Sequence, residues 1–542
     1  MSQFVLPSAA GSAARGRPNL DQKPHGATPL VFLLLLICGI GYAASGLLSD
    51  VRNTGQEPLA IGTFVLLGIA LLIALGFEFV NGFHDTANAV ATVIYTHSLS
   101  PVIAVVWSGL FNFLGVLVST GAVAYSIVTL LPVELILQVG SAAGYAMIFA
   151  LLIAAIIWNL GTWSLGLPNS SSHDLIGSVI GVGLANQLMA PAGQATSGVD
   201  WGQAIGVLRA LLFSPVCGFV LSALLLLLMK FVIRKRELYR EPDGTHPPPL
   251  WIRALLILTC TAVSFAHGGN DGQKGMGLIM LILIGAVPTA YALNRTMPES
   301  STPGFIQITH EAQAVFQAHA EGASLPSPEQ ARNIVGEALR TKDLNRPQVF
   351  AALAALSSDI ARQVQNYGAI RRVPAAATPN MRNDMYLAAD AVRLLPEAGV
   401  KLSPAESATL KSYTEDLNAG TRFIPNWVKV SVAFALGLGT MVGWKRIVVT
   451  VGEKIGKQHL SYAQGASAEL VAAGTIGLAE VYGLPVSTTH ILSSGVAGTM
   501  AANGSGLQWS TVRNMAMAWV LTLPAAITLA GLLYFILRQL VS

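Results

Sequence analysis

The sequence predicts an all-α polytopic membrane protein with inverted-topology repeats, broken helices, re-entrant hairpins and roughly ten or more membrane segments. Three observations carry that prediction. Only 11% of the 542 residues are charged and mean hydropathy is +0.57, whereas an average soluble domain carries roughly 25% charged residues. Apolar runs recur at the length of about 20 residues that a helix needs to cross the hydrocarbon core. Two pairs of polar motifs repeat in halves that begin on opposite sides of the membrane, the sign of an inverted repeat.

Taken in order, residues 1–29 form a mostly polar tail with Arg15, Arg17 and Lys23, expected to be cytosolic and not a cleaved signal peptide. Residues 30–57 hold a first span, 30–48, and an external loop whose only basic residue is Arg52. The first repeat is 58–233, with a span at 58–81 and apolar runs near 101–128, 142–160 and 203–233. Between the last two runs, Leu165 to His173 is too polar and turn-prone for a lipid-facing helix, so 161–187 reads as a buried re-entrant or broken hairpin.

A basic linker, 234–250, with Arg234, Lys235, Arg236 and Arg240, is the strongest cytosolic marker. The second repeat starts at 251–294 and resumes at 426–542, with a polar, mainly helical insertion at 295–425. Glu311 to Ala320, Glu329 to Leu339 and Met385 to Leu395 are its periodic stretches. It shows no catalytic motif, and an inert surface domain and a docking role both stay open. So does its side, because Trp251 to Leu293 reads either as one broken crossing or as two short ones.

The repeat itself rests on two alignments. Setting Gly82 against Gly268 pairs His84 with Asn270, Asp85 with Asp271 and Asn88 with Lys274. Gly166 to His173, Gly-Leu-Pro-Asn-Ser-Ser-Ser-His, matches Gly483 to His490, Gly-Leu-Pro-Val-Ser-Thr-Thr-His. The second spacing exceeds the first by about the length of the insertion.

Glu78, Asn81, Asp85 and Asn88 share one face of a continuous helix. An acid in hydrocarbon costs about 2.5–3.5 kcal/mol and normally faces a cavity, a partner or a pathway; interhelical hydrogen bonding is the plainer alternative for the amides. In His267 to Gly275, glycines and polar groups stand where a helix would otherwise run. A break there would free N–H groups for an anion, whereas the plainer alternative is close helix packing. Ser170, Ser171, Ser172 and Ser487, Thr488, Thr489 follow Pro168 and Pro485, placed to open a half-helix as caps or as an anion cradle. His173 and His490 end the clusters, either as satisfied buried imidazoles or as proton carriers.

Several classes are excluded or weakened. The net charge of +4 is too diffuse for nucleic acid, and Cys38, Cys217 and Cys260 lie singly in apolar runs without a disulfide or metal pattern. A zinc-protease motif and a nucleophile elbow are both missing from the sequence, which argues against an intramembrane hydrolase.

These motifs resemble the PiT family of inorganic phosphate transporters, above all its bacterial low-affinity branch, over nearly all of 58–540. The family pattern Gly-x-Asn-Asp-x-x-Asn-Ala is similar to Gly82 to Ala89 and, altered, to Gly268 to Gly275; its Pro-x-Ser-hydroxyl-hydroxyl-His signature stands at Pro168 and Pro485, and Gly439 to Ile455 also fits. The resemblance implies an inner-membrane, multi-pass protein that is not an enzyme and takes up inorganic phosphate by symport. It implies substrate contacts from Asp85, Asn88, Asn270, Asp271, Ser170, Ser171, Ser172, Ser487, Thr488 and Thr489, contact with membrane lipid, and a homodimer. It implies no bound cofactor. Two positions depart from the sodium-coupled pattern: His84 and Lys274 each replace an Asn. They point to a proton as coupling ion, with Glu78, His173 and His490 as further candidates, and the branch implies a neutral complex of phosphate with Mg, Ca, Zn or Mn. Sulfate permease and sodium-coupled symporter are the alternatives.

Overall fold

The computed structural model describes residues 18–21, 26–53, 61–85, 87–131, 141–190, 198–242 and 246–541; the side chains of residues 53, 87, 88 and 541 are outside that set. Most of the N-terminal tail, the end of the external loop and the Asn88 side chain therefore lie outside the described residues. What is described is helical. In chain order it runs α1 (Thr28–Asn53), α2 (Ile61–Asp85), α3 (Ala87–Tyr95), α4 (Pro101–Val118), α5 (Ala122–Val128), α6 (Ala142–Ser164), α7 (Ser171–Leu188), α8 (Trp201–Val232), α9 (Leu250–Ala286) and the short α10 (Pro288–Tyr291). The insertion contributes α11 (Thr302–His319), α12 (Pro328–Thr341), α13 (Pro347–Tyr367), α14 (Thr378–Leu394) and α15 (Pro404–Thr421). The chain closes with α16 (Asn426–Thr440), α17 (Lys445–Val449), α18 (Tyr462–Val481), α19 (Thr488–Asn503) and α20 (Trp509–Val541).

Among the described residues, seven helices are long and apolar enough to cross a membrane. The bent pair α15 and α16, at 75°, would add an eighth, but α15 buries Leu410, Tyr413 and Leu417 in the core of the insertion. Only α16 belongs with the spanning set. The hairpin arms α7 and α19 are shorter, rich in small and polar residues, and buried through most of their length.

The two repeats interlock. Arm α7 packs along α20 and arm α19 along α8, while α2 lies on α16 and α4 on α9. Small residues permit the close approach, as expected where lipid supplies no hydrophobic drive between helices. A methyl on Gly82 would meet the Leu436 carbonyl oxygen at 2.3 Å and one on Gly439 the Phe79 carbonyl oxygen at 2.1 Å. The partner crossing repeats this: Gly268 faces the Asn112 oxygen and Gly115 the Phe265 oxygen, both at 2.1 Å. The motif alignment that pairs Gly82 with Gly268 also pairs Phe79 with Phe265, so one helix crossing occurs twice.

One expectation is overturned. His267 to Gly275 is not a break; it lies in the middle of α9, a continuous helix of 37 residues. No backbone N–H groups are freed there, and the glycines serve packing: Gly268 meets α4, Gly272 meets Val116, and Gly275 meets Glu78. Continuity makes 251–286 one helix rather than two short ones. The basic linker precedes one end of it and the insertion follows the other, where α11–α15 enclose a core around Phe305, Phe316, Val349, Leu353 and Tyr413. That domain docks through Arg393 to Asp200 at 2.8 Å. Beside it, Tyr291 and Trp427 both donate to Asp50 Oδ2, at 2.9 and 2.8 Å.

Candidate functional site

The hairpin tips meet head-on in the protein interior. Ser170 caps α7 by accepting from the His173 N–H at 3.2 Å, and Ser487 caps α19 by accepting from the His490 N–H at 3.1 Å, the role these residue types play where a helix leaves its first N–H groups unpaired. Ser172 Oγ ties the tips together by donating to the Val486 carbonyl at 2.7 Å. The hydroxyls that follow the caps then point at two carboxylates.

Asp85, at the end of α2, accepts from Ser171 Oγ at 2.7 Å and from Thr489 Oγ1 at 2.7 Å, one hydroxyl from each hairpin. Asp271, in mid-α9, lies 3.4 Å from both Ser171 Oγ and Thr488 Oγ1. Lys274 Nζ sits 2.7 Å from Asp271 Oδ2 and 3.4 Å from Ser171 Oγ, with both charged side chains fully buried. His84 Nδ1 lies 3.1 Å from Asp85 Oδ1, and its Nε2 finds no partner among the described residues. Two acids, a fixed ammonium and three hydroxyls thus converge between the positive ends of two helices, a donor-rich setting that suits a tetrahedral anion.

Other predicted residues take different places. Glu78 packs against Gly275, accepts from Asn81 at 3.3 Å and keeps one carboxyl oxygen without a partner. Asn270 donates to the Leu484 carbonyl at 3.1 Å. The His173 and His490 rings lie 4.6 Å apart, with His490 stacked at 4.2 Å on Trp519.

His267 is a site residue that motif reading missed. Its Nε2 lies 3.5 Å from Asp271 Oδ2, and its Nδ1 pairs with Asn112 Oδ1 at 2.8 Å. The signal was its position four residues before Asp271, on the same helix face, which the supposed break concealed. Asp85, His267 and Asp271 each offer one ligand atom, all within 4.8 Å of one another. Two carboxylates and an imidazole suit a divalent cation such as Zn or Mn, although Lys274 already occupies one oxygen of Asp271.

Comparison with known proteins puts the geometry in context. A family profile described as the phosphate transporter family matches residues 81–530. The chain is similar to the low-affinity inorganic phosphate transporter PitA of Escherichia coli (strain K12), with 41% identity over 500 residues covering 89% of this chain and 98% of the relative. It is similar to PitB of the same organism, 41% identical over 508 residues covering 89% and 99%. A solved structure titled the sodium-dependent phosphate transporter aligns with a TM-score of 0.49 and 20% identity, covering 88% of this chain and 99% of that one.

Proposed function

This chain belongs to the phosphate transporter family, and from that membership we propose uptake of inorganic phosphate by proton symport through the pocket between Asp85 and Asp271. It is a multi-pass membrane transporter and not an enzyme. The observation that carries the coupling reading is the buried Lys274 to Asp271 contact at 2.7 Å. A tethered ammonium neutralises Asp271 where a mobile cation would otherwise have to, leaving protons to balance the substrate.

In this reading the hydroxyls of Ser171, Thr488 and Thr489 leave their carboxylates and donate to phosphate oxygens, with Lys274 as the charged donor. Asp85, freed of its hydroxyls, accepts the proton that phosphate carries near neutral pH. Sulfate is fully ionised and would present only acceptors to that carboxylate. His84 holds the coupling proton, with Glu78, His173 and His490 as alternatives. Where phosphate travels as a neutral divalent metal complex, Asp85, His267 and Asp271 are the ligands the metal would meet as cargo.

The test is radiolabelled phosphate uptake in reconstituted vesicles with pH, sodium and magnesium gradients imposed separately and sulfate as competitor. Uptake should follow the pH gradient, ignore sodium and resist sulfate. Uptake that follows sodium and is indifferent to pH would overturn the coupling; strong sulfate competition would overturn the selectivity. The homodimer is read from the mass of the detergent-solubilised protein.

A further inference from the structure

At the face where the insertion meets the membrane helices, the Arg382 guanidinium is buried with no carboxylate bonded to it among the described residues, and Arg422, half-buried, stands nearby. Arg382 on α14 is 4% exposed, and neither its Nε nor its Nη2 has a hydrogen-bond partner. The Tyr386 ring lies 4.5 Å from its Cζ. Arg422, just after α15, lies 5.7 Å over the ring of Tyr125 and also has an unpartnered Nε. Both arginines and Tyr386 are within electrostatic range of the Tyr125 hydroxyl, and the buried Tyr386 hydroxyl is itself without a partner.

Asp390 and Asp200 both pair with Arg393, at 2.5 and 2.8 Å, and Asp390 is also within electrostatic range of Arg422, so Arg382 is the charge left without an acid. Among the described residues no ion pair joins Arg382 or Arg422 to an acid. Removing one partner from a buried ion pair leaves an uncompensated charge that is strongly destabilising, and ring contact with tyrosine recovers only part of that. Guanidinium forks recognise phosphate bidentately, and the open Tyr386 hydroxyl adds a donor, whereas the Tyr125 hydroxyl already donates to the Phe423 carbonyl at 2.7 Å.

We infer that Arg382, Arg422 and Tyr386, beside Tyr125, bind a phosphate group where the insertion meets the helix bundle, separate from the pocket between Asp85 and Asp271. Free inorganic phosphate and a phospholipid headgroup carry the same chemistry. The phosphate-transport reading supplies only the choice of probe; the unpartnered donors stand without it.

The experiment is hydrogen exchange on the full-length protein, read in peptides covering 378–394 and 420–424. One arm compares delipidated maltoside solution with and without inorganic phosphate, and another compares it with nanodiscs of phosphatidylglycerol. At least one phosphate source should slow exchange in these peptides several-fold. R382Q and R422Q should abolish the protection and Y386F should weaken it, while D85N, altered in the transport pocket, should retain it. Thermal melting gives a second readout that survives a general loss of stability: without phosphate R382Q should melt at or above wild type, and at saturating ligand the order should reverse. Protection by neither source, or full protection in R382Q, would overturn the inference. Failure of proton coupling in vesicles would leave these peptides unaffected.

Discussion

Lys274 donates to Asp271 one helical turn away, at 2.7 Å, in a place where neither side chain reaches solvent. Each charge is tolerable there only because of the other. Removing the ammonium alone strands a carboxylate, at a cost of about 3–5 kcal/mol for a broken buried pair. K274A should therefore lower the melting temperature and reduce phosphate uptake at least tenfold. Adding D271A should restore most of the stability without restoring uptake. A single variant as stable as wild type would mean that another cation already balances Asp271.

The hydroxyls should separate into two groups. Ser171 and Thr489 donate to Asp85, whereas Ser172 donates to a main-chain carbonyl of the opposite hairpin. S171A and T489A should raise the KM for phosphate and also lower stability, each by about 1–3 kcal/mol, because each strips a hydrogen bond from the buried Asp85 carboxylate. S172A should loosen the junction of the tips and lower stability while leaving KM near wild type. The check is uptake kinetics beside thermal melting for all three.

Glycine substitutions should follow the space around each position. An alanine at 268 would place its Cβ 2.1 Å from the Asn112 carbonyl oxygen, main chain that cannot step aside, while Gly206 on α8 has nothing within 4 Å. G268A should destabilise by about 1–3 kcal/mol or more through overpacking. G206A should be neutral or gain up to about 1 kcal/mol from helix propensity. Thermal shift assays on the two variants read the contrast directly.

Acid should loosen the start of α15 before the rest of the insertion. The backbone N–H of Ser403 donates to Glu406 at 2.7 Å, and His319 adds a contact at 3.1 Å. Led by that backbone hydrogen bond, these hold the Glu406 carboxyl below the usual carboxylate range. A depressed acid stabilises the fold above its unfolded pKa and loses that contribution as pH falls through its folded one. Exchange protection near Pro404, corrected for intrinsic rate, should be steady from neutral pH to about 5 and fall below about 4. E406Q should flatten that dependence, because glutamine still completes the capping box.

Much of the pocket could be read from residue types alone, because polar side chains are conspicuous in apolar helices. Asp85, Asp271, Lys274 and the paired hydroxyl clusters were visible for that reason, and the repeat alignment linked halves far apart in sequence. What misled was glycine. In water, Gly268, Gly269, Gly272 and Gly275 would weaken a helix, but between membrane helices they are what lets backbones touch, so packing decides and α9 stays intact. The false break hid the face shared by His267, Asp271 and Lys274. In the insertion, α13 escaped periodicity because it is buried without interruption from Val349 to Ser357 and shows no polar stripe there.

The unbroken α9 has a mechanical consequence. At about 1.5 Å per residue its 37 residues form a rod of roughly 55 Å, with Asp271 and Lys274 near its midpoint and the helical insertion attached beyond its C-terminal end. Such a rod cannot fold aside to let a solute pass. The tips before Ser171 and Thr488 are seated on turns and bring hydroxyls to the pocket. The Asp271 and Lys274 charges are therefore anchored in the rod while hydrogen-bond donors are carried by the hairpins, and opening toward either face becomes a matter of which hairpin lets go of Asp85, at the end of α2, first.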